Sequence, residues 1–210
     1  MNKEAEDLMK VITLGEKDVG KTSIIRRYIH NKFDEKTIST IGLNFSFKQV
    51  KLKNGKNLKI KLIDTAGQEK YKALAKSYFK NVDAVLFVFA INSKDSFDNM
   101  INWINLFNDN HNGKEGIPMY LIGNKSDQER EVQKDVIDEF IIENKYKYFE
   151  TSAKENIGID ELFQELSEDL YKILIEKGGK NRTSRNLTLN KYKGNKRNKH
   201  NCVCSIKKVS

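Results

Sequence analysis

Apolar positions along this chain follow two alternating periods. Short runs in "LMKVITLG" (8–15), "LKIKLID" (58–64), "AVLFVFA" (84–90), "MYLIG" (119–123) and "YKYFE" (146–150) read as strands. Leu58, Ile60 and Leu62 alternate with polar residues, whereas "AVLFVFA" and "MYLIG" are continuous, as in parallel strands buried on both faces. Between these runs the period lengthens. "TSIIRRYIH" (22–30) is helical, and Phe97, Ile101, Ile104 and Phe107 recur at helical spacing with Trp103 nearby. From about Asp160 a last helix repeats Leu162, Phe163, Leu166, Leu170, Ile173 and Leu174. One stretch breaks the alternation: "NFSFKQVKLKNGKNLKIKL" reads as two strands joined at Asn54-Gly55, a strong hairpin signal. The pattern predicts an α/β fold, a doubly wound, mostly parallel six-stranded sheet with one antiparallel hairpin strand. Ligands of such sheets bind beyond the carboxyl ends of the strands.

Those ends carry chemistry. The first strand opens onto "GEKDVGKTS", which matches G-x-x-x-x-G-K-[ST] through Gly15, Gly20, Lys21 and Thr22. Glycines let successive backbone N–H groups turn inward around phosphate oxygens at a helix N-terminus, and Lys21 reaches the β- and γ-phosphates. The Thr22 hydroxyl would ligate Mg²⁺. A plain glycine turn is the weaker reading, because a strand precedes the motif and a helix follows it. "LIDTAGQE" puts Asp64 at another strand end, where a carboxylate can hold a metal through water. "NKSD" and "TSAK" begin where "MYLIG" and "YKYFE" end. The Asp127 carboxylate matches guanine, accepting from N1–H and the N2 amine together; adenine offers neither donor. Taken singly, Asp64, Asn124 and Asp127 are ordinary turn formers.

Composition divides the chain. Its formal net charge is +9, yet residues 177–210 hold 11 Lys or Arg and no Asp or Glu, leaving 27 basic against 29 acidic residues elsewhere. A globular domain over 1–176 and a disordered basic tail over 177–210 are expected, since the tail has no apolar periodicity to offset its ordering entropy. Met1 to Asp7 is polar and acidic, and no apolar run approaches the roughly 18 residues of a membrane span, so the chain is expected to stay on the cytosolic side. Both cysteines, Cys202 and Cys204, lie in the tail; the domain is expected to have no internal disulfide and no structural zinc.

GEKDVGKT, the threonine of STIG, DTAGQE, NKSD and TSAK, in this order and spacing, resemble the five guanine-nucleotide motifs of the Ras-superfamily small GTPases, over about residues 8–176. The resemblance implies a P-loop small G-protein fold and a Mg²⁺-dependent switch that binds GTP, hydrolyses it slowly and holds GDP. It implies phosphate contacts from Asp18, Val19, Gly20, Lys21, Thr22 and Ser23 within the loop that Gly15 opens, and metal contacts from Thr22, Thr40 and Asp64. It further implies a γ-phosphate contact from Gly67, an attacking water oriented by Gln68, and Phe33 beside a base held by Asn124, Lys125, Asp127, Ser152, Ala153 and Lys154.

"STIGLNF" beside "AGQEKYKALAKSYFKNVDAVLFVF" is most similar to the Rab pattern. Asn2 stands where Arf relatives carry a myristoylated glycine, and "QEREVQKDVIDEF" leaves little room for the extra helix of Rho relatives. The Rab resemblance implies an effector surface of Ile41, Gly42, Phe45, Ile63 and Tyr78, with Ile63 where Rabs carry a tryptophan. It implies a monomer that cycles between the cytoplasm and the cytosolic face of an internal membrane in vesicle traffic. The implied partners are an exchange factor, a GTPase-activating protein, a GDP-dissociation inhibitor or escort protein, and effectors.

Two further departures bear on function. Lys17 fills a place in the phosphate loop usually held by a small residue, where its charge lies near the γ-phosphate or points to solvent. Six residues, SIKKVS, follow Cys204, whereas Rabs end at or near a double-cysteine signal. Two lipid chains would anchor firmly where one gives marginal binding, and each nearby Lys or Arg adds about 1 kcal/mol at an anionic surface. Two other functions compete: a nucleotide-holding scaffold with little hydrolysis, distinguished by stimulated turnover, and a nucleic-acid binder using the tail. The second lacks any accompanying readout module, and nucleic acid is not an expected partner.

Overall fold

Every residue from Val11 to Leu14 is buried, because β1 (Leu8–Leu14) lies inside the sheet with helices over both faces. The computed structural model describes residues 8–35, 40–67, 72–111 and 116–194, with backbone alone at 72, 74 and 177–194. The sheet runs β2 (Leu43–Lys51), β3 (Asn57–Thr65), β1, β4 (Ala84–Ala90), β5 (Met119–Asn124), β6 (Lys147–Thr151). All neighbours pair in parallel except β2, which runs antiparallel along β3. The expected six-stranded sheet with one antiparallel strand is thus observed. From β1 the chain moves through α1 (Lys21–His30) to β2 on one side, and from β4 through α3 (Lys94–Asp98) and α4 (Met100–Asn108) to β5 on the other. Connections that diverge from adjacent strands open a crevice at their carboxyl ends.

The hairpin forms where Asn54-Gly55 predicts it, by a different turn from the two-residue kind. Leu52 and Lys56 are joined by an N–H···O bond of 2.8 Å, and Gly55 N–H returns to Leu52 O at 2.9 Å. Lys53, Asn54 and Gly55 are therefore a three-residue loop, with Gly55 at φ +80° supplying the left-handed position that ends it.

One hydrophobic layer packs Ile12, Leu14, Ile63, Val85, Phe87 and Phe89 of the sheet against α2 (Lys72–Phe79), α4 and α5 (Lys134–Asn144). The helical face expected through Phe97 and Ile101 is corrected here. The helix breaks at Asn99, where the Asn102 N–H bonds back three residues to Asn99 O. Met100, Trp103, Ile104 and Phe107 become the inner stripe, and Ile101 is 43% exposed. A single helix, α5, stands between β5 and β6, as the short intervening sequence predicts.

The chain divides into two units, Met1–Tyr171 and Lys172–Ser210. α6 (Ile159–Gly194) begins in the first, where Leu162, Phe163, Leu166 and Leu170 are buried and Phe163 stacks on Tyr28 of α1 at 3.7 Å. Its backbone stays helical to Gly194, so the boundary expected at 176 falls within helix. Extending a nucleated helix adds one hydrogen bond per residue without a new nucleus, which a reading of apolar periodicity does not register. Residues 195–210, with Cys202 and Cys204, lie outside the described residues. Among the described residues no helix is long and apolar enough to cross a membrane.

Candidate functional site

Gly15 follows β1 at φ +147°, and a Cβ there would collide with the Val88 carbonyl of β4, so the loop can pass only as glycine. Gly20, at φ +97°, precedes α1, whose first turn has neither an acidic residue nor a side-chain cap. Such a helix start leaves N–H groups and the positive end of the helix dipole for an anion. Lys21 arches back over the loop, only 5% exposed, its Nζ donating to Gly15 O at 3.0 Å and Glu16 O at 2.7 Å. Burial lowers its ammonium to about 8, against the opposing pull of Asp64, Glu16 and Asp18.

Beside the loop three oxygens converge. Thr22 Oγ1 lies 2.7 Å from Thr40 Oγ1 and 2.7 Å from Asp64 Oδ2, and Thr40 Oγ1 reaches the same carboxylate oxygen at 3.5 Å. Adjacent oxygens around a Mg²⁺ that holds them at 2.0–2.1 Å are about 2.9 Å apart, so this set fits a small hard cation. Asp64 is 3% exposed, and its Oδ1 is buried with no hydrogen-bond partner, a lone acceptor that a metal-bound water suits. Burial raises the Asp64 carboxyl above its ordinary range, with the Thr22 hydrogen bond and Lys21 working against the shift.

The strand ends on the other side of the crevice are locked to the loop. Asn124, 2% exposed, donates through Nδ2 to Val19 O at 2.8 Å. Its Oδ1 accepts from Thr151 Oγ1 at 3.1 Å and Ala153 N–H at 3.4 Å, so one amide joins the phosphate loop, β5 and the loop after β6. Lys125 takes the left-handed conformation, φ +64°, and turns the chain outward to Asp127. That exposed carboxylate accepts from Ser152 Oγ at 2.5 Å and Gln128 Nε2 at 2.8 Å. Partial burial raises the Asp127 carboxyl, but these hydrogen bonds outweigh it and hold the group below its usual range, ionised and fixed in direction.

These parts enclose a cavity of about 450 Å³. Its wall includes Asp18, Gly20, Lys21, Thr22, Ser23, Phe33, Thr40, Gly67, Asn124, Lys125, Asp127, Ala153 and Lys154 of the expected set. Gly15, Val19 and Ser152 stand behind it, serving through the carbonyls and the hydroxyl already described. Asp64 backs the Thr22 and Thr40 hydroxyls, and Gln68 lies outside the described residues. Sequence reasoning missed Asn92, whose buried Oδ1 has no hydrogen-bond partner, and Arg27. Arg27 donates from α1 to Ala153 O at 2.8 Å and Lys154 O at 2.9 Å, fixing the loop after β6. Nothing in "IIRRY" separates it from its neighbour Arg26, which pairs with Asp34 at 3.0 Å.

Residues 10–172 match the profile of the Ras family. The Ras-related protein Rab-13 of Bos taurus is 36% identical over 182 residues, 86% of this chain and 87% of that one. Rab-10 of Diplobatis ommata is 36% identical over 173 residues, 81% and 85% of the two chains. Rab-11C of Dictyostelium discoideum is 35% identical over 176 residues, 83% and 77%. The chain belongs to the Ras family. It is a Rab-like small GTPase, and that membership favours a GTP hydrolase over a scaffold that only holds nucleotide.

In this Rab-like GTPase the outer face formed by β2, β3 and α2 departs from the expected surface at Ile63. Ile41 is 77% exposed, and Phe45, 42% exposed, meets Tyr78 with ring centroids 5.5 Å apart. Ile63, expected on that surface, is 1% exposed in the core, and Phe45 is its register partner across the β2–β3 pair. Phe47, 53% exposed, extends the patch, and Lys61 Nζ lies over Phe45 at 3.9 Å. Period-2 alternation along "NFSFK" carries the signal for Phe47. Lys17, the other departure, pairs with Asp18 at 3.3 Å, about half exposed on the cavity wall.

Proposed function

We propose that the cavity binds GTP with Mg²⁺ and that the chain cycles as a switch in vesicle traffic, as its Rab-named relatives suggest. The observation that carries this reading is the Asp127 carboxylate, held ionised by Ser152 and Gln128 at the cavity wall. A fixed anionic acceptor pair suits the two adjacent donors of guanine. Lys21 and the first N–H groups of α1 bind the phosphates, and Thr22, Thr40 and Asp64 hold the metal. Mg²⁺ held there would supply positive charge against the phosphates. Gly67 contacts the γ-phosphate, and Gln68 orients the attacking water. Hydrolysis is slow until an activating protein completes the site. An exchange factor reloads it, and effectors read Ile41, Gly42, Phe45 and Tyr78. The basic tail, lipidated at Cys202 and Cys204, carries the protein between an escort or GDP-dissociation inhibitor and a membrane.

Asp127→Asn tests the base assignment. GTP affinity should fall by at least about 10²-fold, because the amide presents a donor to guanine's donors, and xanthosine triphosphate should gain. Competition binding with both nucleotides and ATP measures this. Equal wild-type affinity for ATP and GTP would overturn the reading.

A further inference from the structure

Glu16 puts a carboxylate inside the loop that faces the phosphates. Its side chain is turned away from them: Trp103 Nε1, on α4, donates to Glu16 Oε1 at 2.9 Å. The cavity wall includes the next two residues, Lys17 and Asp18, but not Glu16. The Glu16 carbonyl accepts from Lys21 Nζ at 2.7 Å, and Gly67 passes so close that a Cβ there would collide with the Glu16 backbone. One residue therefore connects α4, the lysine of the phosphate loop and the chain leaving β3. Trp103 is fully buried and is the sole tryptophan of the chain. A buried indole N–H needs an acceptor, and any core carbonyl would serve. Here the acceptor is an anion belonging to the anion-binding loop.

We propose that Trp103 is a positioning residue for nucleotide binding, holding the Glu16 carboxylate behind the phosphate loop and coupling the loop to α4. Released from the indole, the carboxylate would enter the field of the phosphates, where a partly dry cleft screens like-charge repulsion weakly. With the anchor in place, a shift of Gly67 or of the phosphates is transmitted through Glu16 to the indole ring. The inference rests on the reading of the cavity as the GTP site.

The test compares full-length wild type, Trp103→Phe, Glu16→Gln and the double variant by dissociation of fluorescent GDP and of a non-hydrolysable GTP analogue. Trp103→Phe keeps an aromatic ring and removes the donor, and nucleotide should leave about tenfold faster. In the Glu16→Gln background most of that loss should vanish, because a neutral side chain no longer repels phosphate. A loss that persists unchanged in that background shows Trp103 to be ordinary core and overturns the proposal. Trp103 emission in the wild type is the second readout. It should differ between the GDP form and the analogue form, and Glu16→Ala should abolish the difference. Identical emission in both forms overturns the coupling, even if Trp103→Phe fails to fold. Flat results from a wild type that binds GTP and loses it on Asp127→Asn sink this inference alone. A wild type that does not bind GTP sinks the reading beneath it.

Discussion

Thr22 Oγ1 has two oxygen neighbours at 2.7 Å, and that crowding defines what the position can hold. Replacing its hydroxyl by the larger planar amide of asparagine pushes against Thr40 and Asp64 and removes a hard oxygen from the proposed metal set. Thr22→Asn should bind GTP at least tenfold more weakly, about 1.4 kcal/mol, while GDP is affected less because fewer phosphate oxygens share the ion. A chelator should speed nucleotide release from the wild type and change the variant little. Stopped-flow release with and without chelator measures both, and a variant as chelator-sensitive as the wild type removes Thr22 from the metal site. Residues of this kind were legible in the sequence because phosphate and guanine chemistry fixes their type and spacing. Ile63 was not. Its place in the motif suggested the surface, whereas its size and apolarity suit the core, where it is 1% exposed.

At the scale of elements, strands were legible because burial on both faces writes continuous apolar runs, and "AVLFVFA" matches β4 residue for residue. The choice of Met100 over Ile101 was not, because both stand at helical spacing from Phe97 and Ile104 and the apolar pattern alone does not choose between them. Contacts between elements were equally hidden. Arg27 stands on α1, yet two of its bonds end on the carbonyls of Ala153 and Lys154, 126 and 127 residues away in sequence. These bonds fix the loop that supplies the Ser152 hydroxyl to Asp127. Arg27→Ala should therefore release GDP about tenfold faster and lower the melting temperature by a few degrees. Arg27→Lys should rescue little, since a single ammonium lacks the planar fork that reaches two carbonyls. Dissociation rates and calorimetric melts decide the matter, and full rescue by lysine shows that charge alone was needed there.

At the scale of the whole molecule the chain is two electrostatic objects. Residues 1–176 are nearly neutral, and residues 177–210 carry 11 basic side chains without an acidic one, so substitutions in the tail should test the proposed membrane attachment without touching the nucleotide site. If Cys202 and Cys204 carry lipid, replacing both by serine should move the protein from membranes to the soluble fraction and leave GTP affinity unaltered. One chain alone anchors marginally, so either single serine variant should be intermediate. Neutralising several lysines between Lys177 and Lys199 should weaken retention by a smaller amount that shrinks as salt rises, because surface charge is screened within about 8 Å at physiological ionic strength. Ending the chain at Cys204 makes Cys-Val-Cys its terminus, and anchoring should persist or improve if the residues beyond it only hinder access to the thiols. Membrane fractionation at two salt concentrations, with mass spectrometry of the natively expressed C-terminus, separates these effects. A double serine variant held on membranes as firmly as the wild type means that the thiols are idle and that attachment comes from protein partners reading the switch face.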